Sequence, residues 1–166
     1  MANFGDIPSN QTVATTLSNE GFGLGQIVGV TDLSDAAAGN VGESSTSNIN
    51  TPGTSLSTGT PINLFSISTG AGDWDFEGHV TIAYTSATQS GDAQAGINTI
   101  SATLPPTSLI AYNNTRQTTT TSNITIPIAR RRITQNSTNT IYVVVQATFS
   151  AGTATAAGFI NKRRVR

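Results

Sequence analysis

The chain contains no cysteine and a single histidine among its 166 residues. Disulfides and thiolate metal sites are therefore excluded, and imidazole chemistry rests on His79 alone. Charge is also scarce. Asp, Glu, Lys and Arg make up 10% of the chain, against about 25% in an average soluble domain. No basic side chain precedes Arg116, and no acidic one follows Asp92. No apolar run approaches the ~18 residues that a membrane-crossing helix requires. Residues 1–20 have neither the basic opening nor the apolar stretch of a secretory signal, so the expectation is synthesis in the cytoplasm without a leader.

Small polar residues take the place of the missing charges: 28 Thr, 17 Ser and 14 Asn, with 16 Gly. Threonine, β-branched yet polar, suits strands with one wet face. A surface with so few ions is poorly protected against association, which points to association as the working state. The ions that exist are sorted along the chain. Nine carboxylates lie in the first part and eight cations in the last, so a formal net charge of −1 hides two opposed blocks. Copies of such a chain can meet acidic end to basic end.

Residues 1–60 and 61–166 read differently. The first segment has short apolar stretches, such as Phe22–Val30, separated by Gly, Ser, Asn and Asp, and a Gly/Ser/Thr/Asn run from Gly39 to Thr60. It is expected to be an extended, mostly irregular arm, with 39–60 as loop or linker. Too little apolar area is present to offset its ordering entropy, so its natural role is to lie on another surface. From Pro61 onward the pattern alternates with period two. Ile62 and Leu64 begin it, and a slip brings in Phe65 and Ile67. Trp74, Phe76, Gly78, Val80, Ile82 and Tyr84 then share one face of a strand, with Asp73, Asp75, Glu77, His79 and Thr81 on the other. Further strands are expected at 95–104, 123–128, 140–150 and 153–165, with Val144 facing outward in the 140–150 strand. Turns are expected at Ser90-Gly91-Asp92, Pro105-Pro106, 135–139 and Ala151-Gly152. No segment of useful length after residue 40 has helical period. The fold class is all-β, an antiparallel β-sandwich behind an N-terminal arm.

No arrangement stands out as catalytic. No G-x-S-x-G elbow is present, and His79 reads as a sheet-surface imidazole. Gly21-Phe22-Gly23-Leu24-Gly25 follows no strand and opens no helix, so it reads as a flexible turn. Asp73, Asp75 and Glu77 recur every second residue on one strand face. A straight strand supplies calcium ligands poorly, and the set reads as a charged sheet face in need of cations. Arg130 and Arg132, also two apart, are the obvious complement, within one chain or across a subunit boundary. Together with Arg131, Arg163, Arg164 and Arg166 these residues form the candidate interface. A sequence pI of about 5.6 and the lack of interleaved aromatics argue against nucleic acid as partner. No catalytic residue, metal site, cofactor or small-molecule substrate is expected.

The second half resembles a recurrent module of tailed-bacteriophage virion proteins. The resemblance covers about residues 60–166 and rests on a series. It comprises Gly-Asp-Trp-Asp (Gly72–Asp75), Ile-Ser-Ala-Thr-Leu-Pro (Ile100–Pro105), Arg-Arg-Ile (Arg131–Ile133), Tyr-x-Val-x-Gln-Ala-Thr-Phe (Tyr142–Phe149) and a last strand running into Arg-Arg-Val-Arg. The resemblance implies a jelly-roll-like, non-enzymatic, trimeric domain on capsid decoration (cement) proteins or fibre knobs. The chain has no shaft, heptads or collagen-like repeat, so a capsid decoration protein is the leading expectation. Its partners would be the major capsid protein and copies of itself, with no membrane, and its place the virion surface. A receptor-binding knob of a tail or head fibre is the alternative.

Overall fold

The computed structural model describes residues 36–39, 41–113 and 121–165. The strands are β1 (Ser44–Leu56), β2 (Ile62–Thr69), β3 (Gly72–Thr85), β4 (Thr88–Asn98), β5 (Ala111–Asn113), β6 (Thr121–Gln135), β7 (Asn139–Ser150) and β8 (Thr153–Arg164). A short 3-10 turn, Thr107–Leu109, precedes β5. The strands make two four-stranded sheets, sheet A in the order β1-β8-β3-β6 and sheet B in the order β2-β7-β4-β5. All strand pairs are antiparallel. Every connection except that from β4 to β5 passes from one sheet to the other. This is the path of a jelly roll, so the expected antiparallel sandwich is the fold observed.

The alternating faces of the sequence explain the core. Trp74, Phe76, Val80, Ile82 and Tyr84 of β3 are fully buried, beside Ile124 and Ile126 of β6 and Ile160 of β8. Opposite them, Phe65, Ile67, Ala95, Ile97, Ile141, Val143 and Val145 fill the inner face of sheet B. The slip expected at Leu64/Phe65 is a register shift between Asn63 and Phe65 against β7, which turns both Leu64 and Phe65 inward. At the open end of the sandwich the Trp74 indole donates to the Gly70 carbonyl at 3.0 Å. Lys162 Nζ and the Arg164 guanidinium each lie 4.4 Å from the Trp74 ring centre, a stacking that suits cations on an aromatic face.

Four expectations need correction. Residues 44–56, expected as part of the loop or linker, form β1 and pair with β8 from Ser44↔Arg163 to Leu56↔Ala154. Without β1, the outward N–H and C=O groups of the central β8 would lack ladder partners, a need that low hydrophobicity does not reveal. The ladder is extended by Gly42 N–H to Arg164 O (2.9 Å) and Arg164 N–H to Glu43 O (2.8 Å). The remainder of the arm, residues 1–35, lies outside the described residues. Ser90-Gly91-Asp92, expected as a turn, is an irregularity inside β4, where the register against β7 shifts between Gln89 and Ala93. The strand expected at 95–104 ends at Asn98, and Val144 is buried rather than exposed.

The last two corrections have one cause. The segment 99–110 folds back over the outer face of sheet B. Pro105 lies against Gly96, where a Cβ would come within 2.6 Å of Pro105 Cγ. Gly96 pairs with Val144. On Val144's other side, Asn63 holds the segment by Nδ2–H to Ser101 Oγ (2.7 Å) and by accepting the Ala102 N–H (2.6 Å). Asn98 anchors its base, donating to Thr103 O at 2.8 Å. At the far end, the β7–β8 turn has Ala151 and Gly152 at φ +53 and +62. A Cβ on Gly152 would meet the Ser86 carbonyl at 2.3 Å, so this turn and the β3–β4 turn fit only with glycine there.

Candidate functional site

Sheet A's outer face carries the charged residues singled out in the sequence. The register sets them in rows across the strands: Ser44–Arg163–Asp75–Arg132, then Thr46–Asn161–Glu77, then Asn48–Phe159–His79–Pro127. Period-two alternation in β3 and β8 puts Asp75, Glu77 and His79 beside Arg163, Asn161 and Phe159 on the same face.

Arg130 and Arg132 complement the strand acids within one chain, and they do so diagonally. Arg132 faces Asp75 in the register but donates to Asp73 Oδ2 at 2.5 Å, while Arg130 donates to Asp75 Oδ2. Asp73 is nearly buried and also accepts from Thr134 Oγ1 at 2.6 Å. Hydrogen bonding to the acids, with their charge, raises the pKa of both Arg130 and Arg132. These arginine side chains are 70% and 55% exposed, so as stabilising ion pairs they are weak. A second effect matters more. β6 is an edge strand, and Pro127 together with Arg130–Arg132 discourages another strand from pairing with it.

Arg131 and Arg164 leave this surface. Arg131 alternates inward and donates to the Ile97 carbonyl of β4, closing the sandwich between β6 and sheet B; burial lowers its pKa. Arg164 donates through Nε to Glu43 Oε2 (3.1 Å) and through Nη1 to Ala71 O (2.6 Å) while stacking on Trp74. The Arg164–Glu43 side chains are only 11% and 17% exposed, so salt screens this pair least. Lys162 is buried beside them. Its Nζ donates to Ser68 O at 2.7 Å, and desolvation lowers its pKa. Arg166 lies outside the described residues.

Glu77 and Arg163 remain. Both are exposed, and neither forms a salt bridge among the described residues. They line a cleft of about 200 Å³ with Asp75, Arg130, Asn161 and the backbone-side edge of Phe76. Beside it on the same face is a shallower depression of about 440 Å³, lined by Asn48, Ile49, His79, Thr81, Ala157, Gly158 and Phe159. His79 meets Phe159 edge to face, with ring centres 4.6 Å apart. Asn48, Asn161 and Phe159 were not singled out in the sequence. Their signal was available: 159, 161 and 163 share a face by alternation, but partnering with β1 was needed to make that face a groove. Among the described residues no group of three or more His, Cys, Asp or Glu is placed to hold a metal ion. No family model, curated protein or solved structure matches the chain.

Proposed function

We propose that the protein is a structural component of a bacteriophage virion, a decoration protein that binds the major capsid protein and stabilises the shell. The observation that carries this reading is the jelly-roll strand order, β1-β8-β3-β6 over β2-β7-β4-β5, an architecture shared by viral capsid and lectin domains. The motif series that resembles phage virion modules supports it, since the series falls on β3, the 99–110 segment, β6, β7 and β8. A fold hosts many functions, and the charge layout narrows the choice. Most ions of the sandwich are engaged in holding β1, β3, β6 and β8 together, while Asp6, Glu20, Asp32 and Asp35 all precede the sandwich in sequence. In this reading those acids meet basic surface on the shell or on a neighbouring copy, and trimers multiply weak contacts into firm attachment.

The test is rebinding. Purified protein added to capsid shells that lack it binds saturably and raises their resistance to heat, and removal of residues 1–35 abolishes the binding. Failure to bind shells, with binding to host cells and blockade of infection instead, establishes the alternative of a fibre knob. The open groove on sheet A is the feature that favours that alternative.

A further inference from the structure

We infer that the outer face of sheet A is a binding groove for a neutral saccharide, centred on Glu77, Asn161, Arg163 and Phe159. The inference stands on the groove's own chemistry and holds whether the chain sits on a shell or on a fibre.

The groove has two neighbouring parts. The 200 Å³ cleft and the 440 Å³ depression adjoin along β3 and β8, where Glu77 and His79 are two residues apart and Asn161 lies between Phe159 and Arg163. The larger falls within the range usual for small-ligand sites. Ala157, with its small side chain, is among the residues that line it.

The groups around it point to one chemistry. Glu77 is an exposed carboxylate, and Arg163 an exposed guanidinium, without salt-bridge partners among the described residues. Asn161 lines the cleft and accepts from Thr46 Oγ1 through Oδ1 (3.4 Å), and its amide nitrogen is a further donor group. Carboxylate, guanidinium and amide are planar forks that engage two neighbouring oxygens at once, and vicinal hydroxyl pairs present such oxygens. Phe159, half-buried and fixed by His79, adds an apolar ring beside these forks, as the apolar face of a sugar ring requires.

Other ligand classes fit less well. Two carboxylates, Asp75 and Glu77, repel a phosphate, while Arg130 and Arg163 repel a metal cation. An extended peptide binds sheets by adding a strand at an edge. Here β3 and β8 are interior strands whose ladders are filled by β1 and β6. A ligand without net charge that offers donors and acceptors together satisfies all of these conditions.

The experiment is a two-dimensional amide NMR titration of the intact protein. The probes are neutral trisaccharides of glucose, galactose, mannose and N-acetylglucosamine, with inorganic phosphate and calcium as controls. At least one trisaccharide is expected to shift the amides of Glu77, Gly78, His79, Gly158, Phe159 and Asn161 saturably, leaving those around Val144 unmoved. Glu77→Gln and Phe159→Ala should each weaken that binding about tenfold or more while the rest of the spectrum stays native. Since Glu77 is exposed and forms no salt bridge among the described residues, its variant keeps the reading independent of folding. The inference is overturned if no trisaccharide shifts these amides, if the shifts map elsewhere, if Glu77→Gln binds as the parent does, or if phosphate or calcium alone perturbs the groove.

Discussion

On the outside of sheet B, Val144 is as buried as any core residue, whereas on the outside of sheet A Glu77 and Arg163 reach solvent. Both faces belong to interior strands with similar alternation, so secondary structure does not account for the difference. A connection does. Among the described strands, the one link that stays within a sheet, from β4 to β5, runs back over sheet B through Pro105 and closes it. Sheet A has no such cover among the described residues. Apart from Phe159 and Pro127, the outer residues in its rows are polar or small, and its cations are placed by register against its acids. One face is therefore part of the packed body, and the other is the surface left available for contact.

The largest effect is expected where a charge is forced under the cover. Val144→Asp buries an unpaired carboxylate between β7 and the 99–110 segment and should lower stability by about 3 kcal/mol or more. Chemical denaturation measures this; a loss below about 0.5 kcal/mol would mean that the cover lifts freely. Gly96→Ala should cost about 1–3 kcal/mol, because the new methyl meets Pro105 Cγ at 2.6 Å. Faster hydrogen exchange confined to residues 99–110 and Val144 would accompany it.

Between the faces lies Tyr84, whose hydroxyl is buried without a hydrogen-bond partner among the described residues. Tyr84→Phe should stabilise the fold by about 1 kcal/mol by removing that unmet group. Burial pushes the Tyr84 phenol up to about 12. The folded state thus keeps the proton between pH 10 and 12 while the unfolded chain, near its ordinary value of about 10, releases it. Stability falls as pH rises through this interval. The Phe variant lacks this contribution, so the gap between the two proteins widens there in a pH series of unfolding midpoints.

The smallest effects belong to the open face. Glu77→Ala should change stability by less than about 0.5 kcal/mol, and Arg130→Ala should leave the unfolding midpoint close to the parent's. Larger losses would show that this face is structural after all, and would remove the contrast with sheet B.

Much of this was legible in the residues. The β3 alternation from Trp74 to Tyr84, the slip at Leu64/Phe65 and the pairing of Arg130 and Arg132 with the strand acids all follow from spacing two. What escaped depends on partners distant in sequence. β1 has few apolar residues, and its strand character comes from the ladder it completes on β8. Val144 reads as outward-facing from its own strand and is buried by a segment some forty residues earlier. Arg164 and Arg131 look like their neighbours in sequence, yet one is clamped between Glu43 and Trp74 and the other reaches the Ile97 carbonyl. A triplet of arginines shows its charge in sequence; which member turns inward depends on where the edge strand starts its alternation.

The division of charge along the chain is resolved into two uses. Within the sandwich, carboxylates and arginines meet across strands; the proposed function gives the acids that precede it in sequence to a partner. In the proposed reading, a sealed face, an open face and an acidic segment ahead of the sandwich serve a subunit that occupies a surface in many copies. Copy number in purified particles, measured by quantitative mass spectrometry against the major capsid protein, tests this most directly. The account predicts hundreds of copies per particle, in a fixed ratio to the capsid subunit. A few copies to a few dozen, co-purifying with detached tails, would contradict it.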